Sequence, residues 1–215
     1  MKSVLVVGLG RFGSHLCREL IAQNNQIMIV DKDEGALSEL TPYVSSALIA
    51  DCTKQAVLES IGVSDFDICF VCIGDDFQSS LEITSLLKDL GAKKVVTLSK
   101  REIHTKFLLR NGADEVIHPD KDIAERCAIK YSNDNIFDYI ELEEDYSIYE
   151  IRPLKEWVGK SLRESNIRAM YKVSVIGIIS AAGNLNITPD PDCPISEDDH
   201  LMVISHKNDI EKIVK

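Results

Sequence analysis

The sequence predicts an α/β chain, a doubly wound parallel sheet followed by a small α+β domain. Three observations carry that expectation. Strand-like apolar runs alternate with helical stripes through residues 3–118. The turn Gly8-Leu9-Gly10-Arg11-Phe12-Gly13 joins the first run directly to the first stripe. Near Ser132-Asn133-Asp134-Asn135 the rhythm changes, and the later runs have no long helical stripes between them. Repeated βα alternation buries a parallel sheet between helices, whereas runs of strands make antiparallel sheets.

The predicted strands of the first part are 3–7, 26–31, 47–51, 67–73, 94–99 and 115–118. Their Val- and Ile-rich runs suit strands buried on both faces. Between them, Phe12, Leu16, Cys17, Leu20 and Ile21 recur at helical spacing, as do Leu81, Ile83, Leu86, Leu87 and Leu90. Gly91 and Gly112 follow apolar helical stretches, where a left-handed cap is expected. The second part is read as strands at 137–142, 147–151, 173–179, 185–187 and 201–205. A short helix is expected near Leu154 or Ser161, and another at the end of the sequence. Ala182-Gly183-Asn184 forms a hairpin turn, and Pro189, Pro191 and Pro194 mark a loop. Residues 1–132 and 136–215 are thus the expected domains.

Composition limits the function classes. The 215 residues carry a net charge of −11, with 45% apolar and 27% charged residues. A chain this acidic repels phosphate backbones, so nucleic acid is not an expected partner. Lys93-Lys94 and Lys100-Arg101 are read as solvated helix ends. No apolar run approaches the roughly 20 residues of a membrane span, and the N-terminal strand leaves no room for a leader, so a cytoplasmic protein is expected. Of six cysteines, Cys69 and Cys72 have metal-pair spacing. They fall in one predicted strand, where residues three apart point to opposite faces, so buried reduced thiols are expected instead.

The glycine turn supplies the functional reading. Gly8 permits a tight turn, Gly10 a close backbone approach to a pyrophosphate, and Gly13 close helix–strand packing. The helix start offers free N–H groups to phosphate. Asp31 closes the second strand, where a carboxylate accepts from ribose hydroxyls and repels a 2′-phosphate. Together these define a Rossmann-type nucleotide site. Asp51, ending the third predicted strand, either accepts from the adenine amine or caps the next helix with Thr53. Gly74 lies on the rim after the fourth strand. Arg11 is the unusual member: it either grips an additional phosphate, as ATP would supply, or is a solvated arginine at a helix start. The expected nucleotide contacts are Gly8, Gly10, Arg11, Phe12, Gly13, Asp31, Lys32, Asp51, Cys52, Gly74 and Lys100.

A dehydrogenase needs a proton donor or acceptor beside the nicotinamide. His104 is expected in solvent, His118 in a turn, and His200 and His206 flank the last strand. No nucleophile, base and orienter assemble, so a nucleotide sensor is expected and a small NAD-dependent oxidoreductase is the alternative.

Gly8-Leu9-Gly10-Arg11-Phe12-Gly13, Ile29-Val30-Asp31, Ala50-Asp51-Cys52-Thr53, His118-Pro119-Asp120 and Asn166-Ile167-Arg168-Ala169 together resemble the RCK domains, regulators of potassium conductance also called KTN domains. The resemblance spans the chain, its last part being similar to the RCK_C module. It implies a cytosolic gating subunit, peripheral to the membrane through a membrane-embedded potassium channel or transporter subunit. It implies homodimers assembling into an octameric ring, with ATP and ADP competing at the glycine turn and NAD or NADH binding in relatives. The residue matching Arg11 reaches a terminal phosphate held by the partner subunit. Asp120 matches an acid that binds Mg²⁺ or Ca²⁺ in relatives; a helix cap is the alternative. Ile167, Arg168 and Ala169 match a cyclic di-AMP site, with Ser174 standing where the family has asparagine.

Overall fold

The structure, a computed structural model, describes residues 1–143 and 145–214. It divides into two units, Met1–Lys121 and Asp122–Lys215. In the first unit β1 (Ser3–Val7) leads into α1 (Arg11–Ala22), β2 (Gln26–Asp31), α2 (Glu34–Ser38), β3 (Ser46–Ile49) and α3 (Gln55–Ile61). The second half of that unit holds β4 (Ile68–Val71), α4 (Phe77–Asp89), β5 (Val95–Leu98), α5 (Glu102–Arg110) and β6 (Glu115–Ile117). The six strands are parallel in the order β3-β2-β1-β4-β5-β6. Strand order therefore reverses between β1 and β4, where such sheets bind ligands beyond their carboxyl ends.

Alternate residues of each strand feed two cores. Leu5, Val7, Cys69, Val71 and Val95 pack with Leu58 of α3 and Ile83 and Leu87 of α4. Val4, Val6, Ile27 and Ile29 pack with Cys17 of α1 and Leu37 of α2. Cys69 lies in the first core and Cys72 in the second, so the two sulfurs belong to opposite faces, as strand periodicity requires. Burial raises the Cys52 and Cys69 thiols to about 12 and moves Cys72 further in the same direction. These are packing groups, not nucleophiles.

α6 (Pro119–Tyr131) contains the unit boundary. The second unit continues with β7 (Ile136–Glu141), β8 (Tyr146–Ile151), α7 (Leu162–Ser165), α8 (Ile167–Tyr171), β9 (Ser174–Ile179), β10 (Leu185–Asn186), β11 (His200–His206) and α9 (Lys207–Val214). Its strands form an antiparallel sheet in the order β10-β9-β11-β8-β7. Alternate residues of β8 and β11 face a core with Trp157, Ile167, Ile210 and Ile213. The helix expected near Leu154 or Ser161 starts at the second position. Ser161 caps α7 in a reciprocal box with Glu164, and the chain then restarts as α8 through Asn166, at φ +44°. Gly91 and Gly112 adopt the left-handed conformation expected of them.

Among the described residues no helix is long and apolar enough to cross a membrane.

Candidate nucleotide site

The glycine turn sits at the β1/β4 reversal. Gly8 has φ +91°, and its N–H donates to the Val30 carbonyl at 2.9 Å, which ties the turn to β2. A Cβ on Gly13 would stand 2.1 Å from the Gly8 carbonyl oxygen, so this glycine lets α1 rest on the turn. A Cβ on Gly10, in contrast, would meet nothing within 4 Å. The backbone is open there to something outside the chain. No side chain caps α1, and its first turn holds no acid. The first N–H groups of a helix lack intrahelical partners, so this end is free to bind an anion.

Two cavities adjoin at the turn, with Gly10, Cys72, Gly74 and Asp75 in both linings. The first, of about 270 Å³, has an apolar floor of Val7, Val30, Ala50, Cys52 and Ile83, with Asp31, Lys32, Asp51 and Asp76 around it. The second, of about 310 Å³, is lined by Arg11, Phe12, His15, Lys100 and Asp120 among others. An apolar slot with a few polar groups suits an adenosine; the second lining sets Arg11 and Lys100 against Asp75 and Asp120.

The acids are more engaged than the sequence suggests. Asp31 accepts from the Leu9 N–H at 2.6 Å and from the Asp33 N–H at 2.9 Å, so it braces the glycine turn. Each oxygen keeps a second lone pair for a ribose hydroxyl. Asp51 lies two residues beyond β3 instead of ending it. It accepts from the Thr53 hydroxyl at 2.7 Å and N–H at 3.0 Å, which close a turn and hold its carboxyl below the usual range. Lys54, not Asp51, is the N-cap of α3.

Among the described residues Arg11 makes no hydrogen bond or ion pair, and it is exposed. Lys100 is committed: its Nζ pairs with the Asp75 carboxylate while its stem lies over Gly74, 3.3 Å from where a Cβ would be. Asp120 is not a helix cap, because Pro119 already begins α6 and Asp120 lies in its first turn. No cluster of three or more His, Cys, Asp or Glu suited to a metal occurs among the described residues. A divalent cation at Asp120 would need phosphate oxygens and waters to complete its shell.

Other expectations are displaced. Gly13 lines neither cavity. His104 is stacked on Phe77 at 3.8 Å instead of standing free in solvent. In the second unit Ile167, Arg168 and Ser174 share a cavity with Pro191, but Ala169 is exposed and outside its lining. Asp75, Asp76 and Ser79 were not anticipated. Their signal was present, since Asp75-Asp76 directly follow the rim glycine and Asp76 caps α4 through Ser79.

A parallel sheet in this strand order, with a glycine turn at its reversal and both cavities beside it, defines a Rossmann-type nucleotide-binding module, here followed by an antiparallel lobe. Residues 4–119 match the TrkA-N domain and residues 146–215 the TrkA-C domain. The chain belongs to this RCK family. It is 34% identical over 214 residues to Ktr system potassium uptake protein C of Bacillus subtilis, covering 100% of this chain and 96% of that protein. It is 34% identical over 211 residues to protein A of the same system and organism, covering 98% and 95%. Among solved structures it is similar to the GsuK channel bound to NAD, with a TM-score of 0.68 at 19% identity; the match covers 97% of this chain and 38% of that one.

Proposed function

We propose that the chain is a regulatory, non-enzymatic subunit of a potassium transport system, reading adenine nucleotides at its glycine turn. One observation carries the nucleotide reading: among the described residues Arg11 makes no hydrogen bond or ion pair where the turn opens, beside a Gly10 backbone with nothing within 4 Å of where a Cβ would be. ATP or ADP is the proposed ligand, with NAD or NADH as the other candidate. Gly8, Gly10 and Gly13 form the cradle. Asp31, Lys32, Asp51 and Cys52 surround the nucleoside, Gly74 forms the rim, and Phe12 and Lys100 flank the phosphates. Asp120 would share a divalent cation with the terminal phosphate. The relatives' role in potassium uptake supports the transport assignment over an NAD-dependent oxidoreductase.

The mechanism follows from differential contact. A ligand shifts an equilibrium only by what it gains in one state over the other. An arginine contact to a third phosphate exists with ATP and not with ADP. In a homodimer, and in a ring built from homodimers, that contact would favour one angle between subunits, which a membrane partner would feel as opening or closing. Arg168, exposed beside Ile167 and Ser174 and without a side-chain hydrogen bond or ion pair among the described residues, supports a second anionic ligand in the C-terminal lobe, where cyclic di-AMP is the candidate. Calorimetric titration of Arg11→Ala tests the central assignment. ATP affinity should fall about tenfold or more while ADP affinity changes little. Equal losses for both would remove Arg11 from the terminal phosphate.

A further inference from the structure

The second cavity holds one cation that is free and one that is not. Arg11 makes no hydrogen bond or ion pair among the described residues, although its charge acts on Asp75, whereas Lys100 lies over Gly74 and pairs with Asp75. Asp75 is nearly fully exposed, its side chain at 94%, and makes no other hydrogen bond or ion pair among the described residues. It braces no turn and caps no helix; the neighbouring Asp76 caps α4. An acid that ties down no backbone group, placed at the rim of the site, opposes an anion there unless its hold on Lys100 has a use.

We propose that Asp75 is a specificity-determining residue, holding Lys100 until a ligand carrying phosphate beyond the first takes the ammonium from it. This rests on the nucleotide reading of the same site. The layout gives the reason for the phosphate count. Asp31 and Asp51 line only the first cavity, Lys100 and Arg11 only the second, and Gly10, Gly74 and Asp75 lie in both. An adenosine monophosphate fits the first cavity and ends near Gly10. A longer phosphate chain continues past Gly74 to the Lys100 ammonium. Exposed ion pairs are weak and screened by salt, so a polyphosphate can exchange with Asp75 where a monophosphate does not reach. The competition taxes most the ligands that use Lys100. It therefore narrows the margin by which a polyphosphate outbinds a monophosphate, instead of maximising affinity.

A double-mutant cycle read by calorimetry tests this on the full chain, using Asp75→Asn, Lys100→Met and the combined variant against AMP and ATP. Asp75→Asn should tighten ATP about two- to fivefold at low salt, with the gain shrinking as salt is added, and change AMP less. In the Lys100→Met background the Asp75→Asn gain should shrink, because the ion pair to be released is gone and only the charge of Arg11 still acts on Asp75. A gain of undiminished size without Lys100 would mean that Asp75 merely repels anions, and would overturn the exchange. So would an equal gain for AMP, or no gain at all. If the unaltered chain binds neither AMP nor ATP, the nucleotide reading fails first, a result the variants cannot imitate. All of these positions are exposed, and matching thermal transitions would show that the variants are folded.

Discussion

Gly13 shows how much of the site depends on the absence of one carbon. Alanine in its place would gain roughly 1 kcal/mol of helix propensity. Its Cβ would also stand 2.1 Å from the Gly8 carbonyl and 3.1 Å from the Cys72 Cβ. Neither neighbour is a flexible tip, so the helix or the turn must move, at a cost of about 1–3 kcal/mol or more. Strain wins. Gly13→Ala is expected to lower the denaturation midpoint and to weaken ATP binding, since the same shift misplaces the Gly10 backbone. A variant as stable and as avid as the parent would contradict this packing. The roles of Gly8, Gly10 and Gly13 were legible in the sequence because each follows from a local limit on size or chirality. The duties of Asp31 were not fully legible. Its bond to the Leu9 N–H bridges two strand ends and depends on their register. Asp75 was missed for a different reason: an acid beside expected phosphates runs against simple charge matching. His104 lay in a charged stretch, but Phe77 comes from another helix and no spacing rule joins them.

Elements were easier to locate than their ends. Strand interiors are marked by short, mostly apolar runs, and all six strands of the first sheet lie where those runs fall. Their ends moved where side chains intervened. The third strand stops at Ile49 because the Asp51 carboxylate and Thr53 close a turn there. In the C-terminal lobe, Ser161 starts α7 through its bond from the Glu164 N–H, while the Glu164 side chain accepts from the Ser161 N–H at 2.9 Å. Ser161→Ala removes a buried cap and should cost about 1 kcal/mol, within the 0.5–2 kcal/mol range of such losses. Chemical denaturation followed by circular dichroism would measure it. No change in the midpoint would mean that the box adds nothing to the packing of α7. The restart of the chain as α8 was not legible, because Asn166 at positive φ is only one of many residues able to break a helix.

At the scale of the whole molecule, an acidic chain is proposed to bind an acidic ligand. The net charge of −11 works against this at long range. The site answers locally, with the free end of α1, an exposed Arg11 and a releasable Lys100. The fold class, the family and the position of the turn were legible because glycine spacing and strand order are tightly coupled in such sheets. How adenosine and phosphate spaces are apportioned required the structure. The most direct measurement is titration of the full-length chain with ATP by isothermal calorimetry, followed by displacement with ADP. The account predicts one saturable site per chain and mutual exclusion of the two nucleotides. Absence of heat with ATP, ADP and NADH alike, up to millimolar ligand, would contradict it.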